Sequence, residues 1–326
     1  MKLLEQIILQ AIEQKVNAKN FVALKQRLSS ISKNAQPSNQ SLLKVYRKMK
    51  IAAYPILEKI LKTREIRTLS GVAVVTVLTK PYPCPGACIY CPTDARMPKS
   101  YLPDEPAAAR ALSLKFNPYE QVKQRIKMLE MDGHDTDKIE LIVKGGTWSA
   151  YPRKYQEWFI QRCFEAANPP KFFGRNSVAN KKAKKLRRAS SSLSEAQKIN
   201  ETAEHRITGL TLELRPDSVT PDEVKHLRQL GCTRIEMGVQ TIDDKILMLV
   251  RRGHTAKQVA EATQKLRDAG FKVDYHLMPA LPGVSLKKDL ENFKKIFSDP
   301  RFRPDMIKIY PCSVIPNTAL YKLWKA

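Results

Sequence analysis

The 326-residue chain contains no apolar run close to the ~20 residues that span a bilayer. Its longest, Val72–Leu78, is strand-sized. Near the N-terminus, Leu4, Ile7, Ile8, Ala11 and Ile12 are interrupted by Glu5, Gln6, Gln10 and Glu13. That is the pattern of an amphipathic helix, not the unbroken core of a signal peptide. The composition excludes collagen-like, transmembrane and disulfide-scaffold classes, and the expectation is a cytoplasmic protein with no membrane contact. Cysteine is scarce: six residues, at 84, 88, 91, 163, 232 and 312. Three crowd together and three stand alone, whereas a disulfide framework spreads its cysteines in pairs, and a chain of this size needs no staples. Acid is short too, with 32 Asp+Glu against 57 Lys+Arg, a net charge of +25. Aromatics make up 7% and form no ladder among the basic residues, so single-strand stacking is not evident.

What is present is an apolar share of 43%, enough to bury a core, and an uneven charge. Residues 1–70 carry 14 Lys/Arg against four Glu, and residues 171–188 carry eight basic residues and no acid. One such run is ordinarily a solvated face. Two in one chain favour a polyanionic partner, and nucleic acid over membrane because 171–188 lacks a bulky apolar face.

Residues 1–65 read as helical: a first short helix, a second through Phe21–Leu28, a polar break at Ser29–Ser41 and a third through Leu42–Leu61, with Pro55 able to interrupt or start a helix. From Leu69 onward β-branched runs alternate with helical stretches. The candidate strands are Val72–Thr79, Ile139–Val143, Leu210–Leu214, Arg234–Val239, Lys272–Met278 and Met306–Tyr310. The candidate helices are Pro118–Met131, Arg153–Ala167, Leu193–Glu204, Pro221–Leu230, Thr255–Ala269 and Leu286–Phe297. Six strand–helix units in order imply an α/β fold with a parallel sheet and right-handed crossovers, as a full or partial barrel or an open doubly wound sheet. Chemistry in such folds gathers at the C-terminal ends of the strands.

Just after the first strand lies Cys84-Pro-Gly-Ala-Cys88-Ile-Tyr-Cys91, spaced C-x3-C-x2-C. Three thiolates on one short loop can bind three irons of a [4Fe–4S] cube and leave the fourth iron open to a ligand. The alternative is structural zinc, which wants four closed ligands. The next cysteine is Cys163 and the nearest downstream histidine is His134, so the cluster is favoured. Cys163, Cys232 and Cys312 read as inert buried thiols. The other strand ends carry Lys144-Gly145-Gly146-Thr147, then Glu213, Arg215 and Asp217, then Arg234, Glu236 and Gln240, then Asp274 and His276, then Lys308 and Tyr310. Singly, each is more often a paired or solvent-facing residue. Together, facing a cysteine loop, they suggest a site.

The cysteine spacing with an aromatic, Tyr90, before the last cysteine, and a Gly-Gly after the second strand, resembles the radical S-adenosylmethionine (SAM) superfamily. Longer stretches, among them SGVAVVTVLTKPYPCPGACIYCP, EAQKINETAEHRITGLTLELRPD, GCTRIEMGVQ, RRGHTAKQV, FKVDYHLMPALPG and FRPDMIKIYP, resemble the catalytic subunit of Elongator and its stand-alone prokaryotic relatives, over most of residues 67–322. The resemblance implies a parallel partial (β/α)6 barrel over 67–326, preceded by a basic helical segment, 1–66, that contacts tRNA. It implies a tRNA carboxymethyluridine synthase of the acyltransferase class. Such an enzyme installs a carboxymethyl group at C5 of the wobble uridine (U34), using SAM, a [4Fe–4S] cluster and acetyl-CoA. Cys84, Cys88 and Cys91 would hold the cluster. Tyr90, Gly145, Gly146, Glu213 and Gln240 would line the SAM pocket, and Lys138 matches a lysine associated with acetyl-CoA. The implied partners are the tRNA anticodon stem–loop, an electron donor, and a separate acetyltransferase domain or Elongator-type subunits. Lys144 stands where relatives usually carry Met, and Ala280 where many carry a polar residue. Relatives continue beyond the Tyr321–Trp324 region into a zinc-binding linker and an acetyltransferase-like domain, which the resemblance therefore implies to be missing here. Two other readings are a tRNA-binding remnant without turnover and a radical SAM enzyme with another substrate.

Overall fold

A computed structural model of the chain describes residues 3–49, 51–168 and 192–326. The basic run 171–188 lies outside the described residues. The chain forms two compact units, one of residues 1–74 with 123–139 and one of residues 75–122 with 140–326.

The first unit is helical at its N-terminal end: α1 (Leu3–Glu13), α2 (Ala18–Ile31), α3 (Asn39–Tyr46) and α4 (Pro55–Leu61). Asn17 and Ser38 cap α2 and α3 by accepting from the backbone N–H of Asn20 and Ser41, which satisfies donors a helix start leaves orphaned. Ile7, Ile8, Phe21, Leu24, Leu28, Leu42, Leu57 and Leu61 recur at helical spacing and form its core. The single third helix expected through Leu42–Leu61 is instead two. Pro55 occupies the first turn of α4 and drives Tyr54 out of helical geometry (φ −121°, ψ 88°), and the Tyr54 N–H donates to Tyr46 Oη at 2.6 Å.

The strands are β1 (Ala73–Leu78), β2 (Lys138–Lys144), β3 (Arg206–Leu214), β4 (Arg234–Gln240), β5 (Lys272–Leu277) and β6 (Met306–Ile309). They lie in the order β1-β2-β3-β4-β5-β6 as a curled half-barrel of parallel strands with helices around it. The helices that follow are α5 (Pro106–Ser113), α6 (Pro118–Met131), α7 (Arg153–Ala167), α8 (Leu193–Asn200), α9 (Pro221–Gln229), α10 (Asp244–Leu249), α11 (Ala256–Asp268), α12 (Leu286–Ser298) and α13 (Ala319–Lys325). Thr220 caps α9, and Thr255 with Gln258 closes a capping box on α11. The third strand starts earlier and α8 ends earlier than the sequence suggests. The Asn200 amide explains both, since it accepts from the Ile207 N–H at 2.7 Å and donates to the His205 carbonyl at 3.0 Å, turning the chain into the sheet.

Strand alternation sorts the sheet into two faces. Leu210, Leu212 and Leu214 of β3, Ile235, Met237 and Val239 of β4, and Val273, Tyr275 and Leu277 of β5 are all buried on one face. The other face is polar. Parallel register sets Glu213 beside Glu236, Glu236 beside Asp274, and His276 beside Lys308. Among the described residues no helix is long and apolar enough to cross a membrane.

Candidate active site

A cavity of about 500 Å³ opens at the C-terminal ends of the strands. Cys84, Cys88 and Cys91 line it from the loop after β1, facing Glu213, Glu236 and His276 of the sheet. The three cysteines are free thiols. Each sulfur has its own polar neighbour. Cys84 Sγ lies 3.5 Å from Thr147 Oγ1 and accepts from the Gly86 N–H at 3.4 Å. Cys91 Sγ lies 2.9 Å from Ser100 Oγ, and Cys88 Sγ accepts from Arg252 Nη1 at 3.5 Å. Burial raises the Cys91 thiol above its ordinary range, against the pull of Ser100 and of the Lys99 charge. The Tyr90 ring packs with Ile89, Ile246, Val250, Leu281 and Leu320 behind the loop, and burial keeps its phenol protonated.

The sulfurs suit a cluster better than a single ion. Their polar neighbours are Thr147, Ser100 and Arg252, and none of these is the fourth ligand that a closed zinc site wants. Soft donors, separately hydrogen-bonded and spread around a cavity mouth, match a sulfur-bridged iron cube.

The floor of the cavity is a closed charge network. Lys144 Nζ donates to Glu213 Oε1 at 2.9 Å and also to Glu236. Lys308 pairs with Glu236 and stands 3.5 Å from Asp274 Oδ2. His276 Nε2 is 3.1 Å from Glu236 Oε2, with the Tyr310 ring edge-on to the imidazole. The Tyr101 hydroxyl donates to Glu213 Oε2 at 2.9 Å. Burial opposes the Glu236 charge, yet His276, Lys144 and Lys308 outweigh it and hold the carboxyl far below the usual range. Burial, with the neighbouring Glu236 charge, raises Asp274 against the pull of Lys308, His276 and Arg234. A second ion pair, Arg234 with Glu140, underlies this layer, and Thr211 donates to the same Glu140 at 3.2 Å.

Gly146, Glu213, Gln240 and Tyr90 all line the cavity. Gly145 sits just outside it, packed on Thr79 with φ +148°, its N–H donating to Glu213 Oε2 at 3.4 Å. A Cβ there would overlap Thr79 Oγ1, so glycine is required. Lys138 is the exposed first residue of β2 and is not among the lining residues. Cys163 and Cys232 are buried, the latter thiol pushed up to about 12 by burial. Cys312 departs from the expected inert interior position. It is half-buried, lines the cavity and packs against the same apolar cluster as Cys88 and Cys91. The chain after β6 turns over the cavity mouth, which strand periodicity does not reveal. Thr147 lies in the Lys144–Thr147 strand end noted from the sequence, whereas Ser100, Tyr101 and Arg252 come from loops and carry no periodic signal.

Comparison with known proteins agrees with this geometry. The family model described as "Radical SAM superfamily" matches residues 82–295. The chain is 47% identical over 295 residues to a tRNA uridine(34) acetyltransferase of Methanocaldococcus infernus, covering 89% of this chain and 51% of the relative. It is 38% identical over 292 residues to Elongator complex protein 3 of Homo sapiens, covering 85% and 50%. A solved structure of the archaeal Methanocaldococcus infernus Elp3 with an N-terminal deletion superposes with a TM-score of 0.63 at 44% identity, covering 78% of this chain and 49% of that one. The chain thus spans about half the length of the curated relatives it matches. With the cysteine triad at the strand ends of a parallel half-barrel and the family model spanning it, the chain belongs to the radical SAM superfamily.

Proposed function

We propose that this chain is the radical SAM portion of an enzyme that modifies the wobble uridine (U34) of tRNA at C5. The names of its relatives and their identity across the barrel support the substrate class. The observation that carries the chemistry is the cysteine triad at the cavity mouth, each sulfur with its own polar neighbour and none of those neighbours a fourth zinc ligand. When bound, a [4Fe–4S] cluster and SAM supply one-electron reduction leading to hydrogen-atom abstraction. Cys84, Cys88 and Cys91 hold the cluster, and Tyr90, Gly146, Glu213 and Gln240, with Gly145 behind them, shape the pocket for SAM.

The network beneath has a role of its own. Replacing the C5 hydrogen of uracil by a carbon radical removes that hydrogen as one proton and one electron; the electron would return to the oxidised cluster, and the proton must be carried away. Tyr101, Glu213, Lys144, Glu236, His276 and Lys308 form a continuous chain of proton-bearing groups through which it can be redistributed. Acetyl-CoA is the co-substrate, with Lys138 as its contact, and the acetyltransferase-like function belongs to a domain or subunit beyond the barrel. The basic segment 1–66, whose Lys15, Lys19, Arg27, Lys33, Lys44, Arg47 and Lys48 are exposed, holds the anticodon stem–loop. A reducing cytoplasmic setting, an electron donor and Elongator-type subunits complete the reading.

Anaerobic reconstitution followed by iron analysis, SAM cleavage under dithionite and tRNA binding tests it. The expected results are about four irons per chain, cleavage of SAM, and tRNA affinity that falls with log salt at a slope near −4 to −5 for about six phosphates. Absence of iron overturns the enzymatic reading. Iron with cleavage but salt-insensitive tRNA binding points to another substrate.

A further inference from the structure

Two sequence motifs that the proposed chemistry leaves unused meet at the cysteine loop. Leu214-Arg215-Pro216-Asp217 follows β3, and Arg251-Arg252-Gly253-His254 follows α10. They bring two guanidinium groups into the interior, Arg215 at 5% and Arg252 at 9% exposure. Arg252 Nη1 donates to Cys88 Sγ at 3.5 Å, and its Nη2 donates to the Gly238 carbonyl at 2.5 Å. Arg215 pairs with Asp217 through Nε at 3.0 Å and Nη2 at 3.0 Å, and Nη2 also donates to the Arg252 carbonyl at 2.8 Å. Its remaining nitrogen, Nη1, is buried without a hydrogen-bond partner. That nitrogen lies over Gly86, where a Cβ would collide with it, and Cys84 Sγ lies 3.5 Å from the same position. Gly238 makes room for Arg252 in the same way.

Two buried cations share one carboxylate, so a net positive charge faces the sulfurs, with Arg215 Nη1 and Arg252 Nε left without hydrogen-bond partners. Leaving a buried charged donor unmatched is costly. A group that supplies anionic sulfur in the cysteine loop would satisfy it. Burial first, and then the charges of Arg252 and Arg215, lower the neighbouring His254 imidazole to about 3.

We infer that Arg215 and Arg252 form a guanidinium clamp on the iron–sulfur cluster, donating N–H groups to its sulfurs and setting its reduction potential. This rests on the cluster-binding reading of Cys84, Cys88 and Cys91. Reduction adds one electron and therefore one negative charge, so adjacent fixed cations favour the reduced form. Arg252 and Arg215 are positioning residues in this sense, acting through the cluster. Lys99 also lies near Cys91, but its ammonium donates to the Thr93 hydroxyl and faces solvent, where water screens it.

The test is redox titration of the reconstituted full chain without SAM, followed by electron paramagnetic resonance. Arg252→Gln and Arg215→Gln are each expected to shift the reduction equilibrium at least tenfold toward the oxidised cluster, 59 mV for a one-electron couple. Arg252→Lys keeps the charge and is expected to retain most of the wild-type value. Asp217→Asn removes the carboxylate and is expected to shift the equilibrium at least threefold the other way, toward the reduced cluster. Lys99→Gln is expected to move it less than Arg252→Gln. Should the Gln variants fail to fold, the upward shift in Asp217→Asn decides alone. Iron-loaded variants that all share the wild-type midpoint overturn the clamp. A wild-type chain that loads no iron overturns the cluster reading instead.

Discussion

Lys144 Nζ stands 2.9 Å from Glu213 Oε1 and also pairs with Glu236, a fully buried carboxylate that Lys308 and His276 share. A lone ion pair in a protein interior contributes little net stability, because desolvation offsets attraction. Breaking one is different: the survivors stay charged in a poor dielectric. Glu236→Gln is therefore expected to cost about 3 kcal/mol, since it leaves Lys144 with Glu213 alone and Lys308 with only the more distant Asp274. Asp274→Asn, at a carboxyl that burial raises and whose ion pair with Lys308 is a long 3.5 Å, is expected to cost under about 1 kcal/mol. Denaturant midpoints of the two variants check this. Equal losses would mean that water reaches the network and screens it.

The cysteines divide by position. Cys84→Ser, Cys88→Ser and Cys91→Ser are each expected to drop reconstituted iron from about four per chain to below about one. Cys163→Ala and Cys232→Ala are expected to keep it, because those thiols are buried elsewhere. Cys312→Ala is the informative control: it lines the same cavity, yet none of the donors to the triad depends on it. Retention of iron is expected, measured by iron and sulfide analysis, and its loss would add a fourth sulfur to the set.

How much of this was legible beforehand follows from what carries a local signal. Each of the six strands left a recognisable apolar run, and the Thr220 and Thr255 caps marked their helices. Short helices without a full amphipathic period, α5, α10 and α13, escaped notice, as did the break before Pro55. The site divides the same way. Cys84, Cys88, Cys91, Gly146, Glu213 and Gln240 sit in a motif or at a strand end, and they converge on one cavity. Ser100, Thr147 and Arg252 reach the sulfurs from loops, where chain reversal and not residue pattern decides the neighbour. The pairing of Lys144 with two glutamates depends on strand register, which a single sequence does not fix.

Gly145 marks the point where β2 meets the cavity, and its replacement is expected to be severe. Its φ of +148° disfavours any side chain, and an added methyl would overlap Thr79 Oγ1. That hydroxyl is itself committed, 2.7 Å from Tyr151 Oη. Gly145→Ala is expected to cost about 2–4 kcal/mol from strain and overpacking together. It should also weaken SAM binding by displacing Gly146 and the donor to Glu213. Calorimetric SAM titration alongside thermal melting separates the two, and a variant of wild-type stability would show that Thr79 can turn aside.

His254 predicts how the fold responds to acid. Its Nε2–H donates to the Val239 carbonyl at 3.2 Å, while Nδ1 is buried without a partner. Burial first, then Arg252 and Arg215, lower the folded pKa to about 3, against ~6.5 for an unfolded histidine. Between those values the unfolded chain binds more protons, so stability rises with pH. The contribution is complete above about pH 6.5 and is lost progressively as pH falls toward 3. From pH 7 to pH 5 the loss is expected to be about 2 kcal/mol for this one group. His134 and His226, also lowered by burial, add in the same direction. The depressed Glu236 has the same sign but acts mainly below about pH 4.5. Urea unfolding at pH 7 and pH 5 for the wild type and His254→Gln checks the assignment. The variant is expected to lose about 2 kcal/mol less over that interval, and an unchanged difference would place the acid sensitivity in other groups.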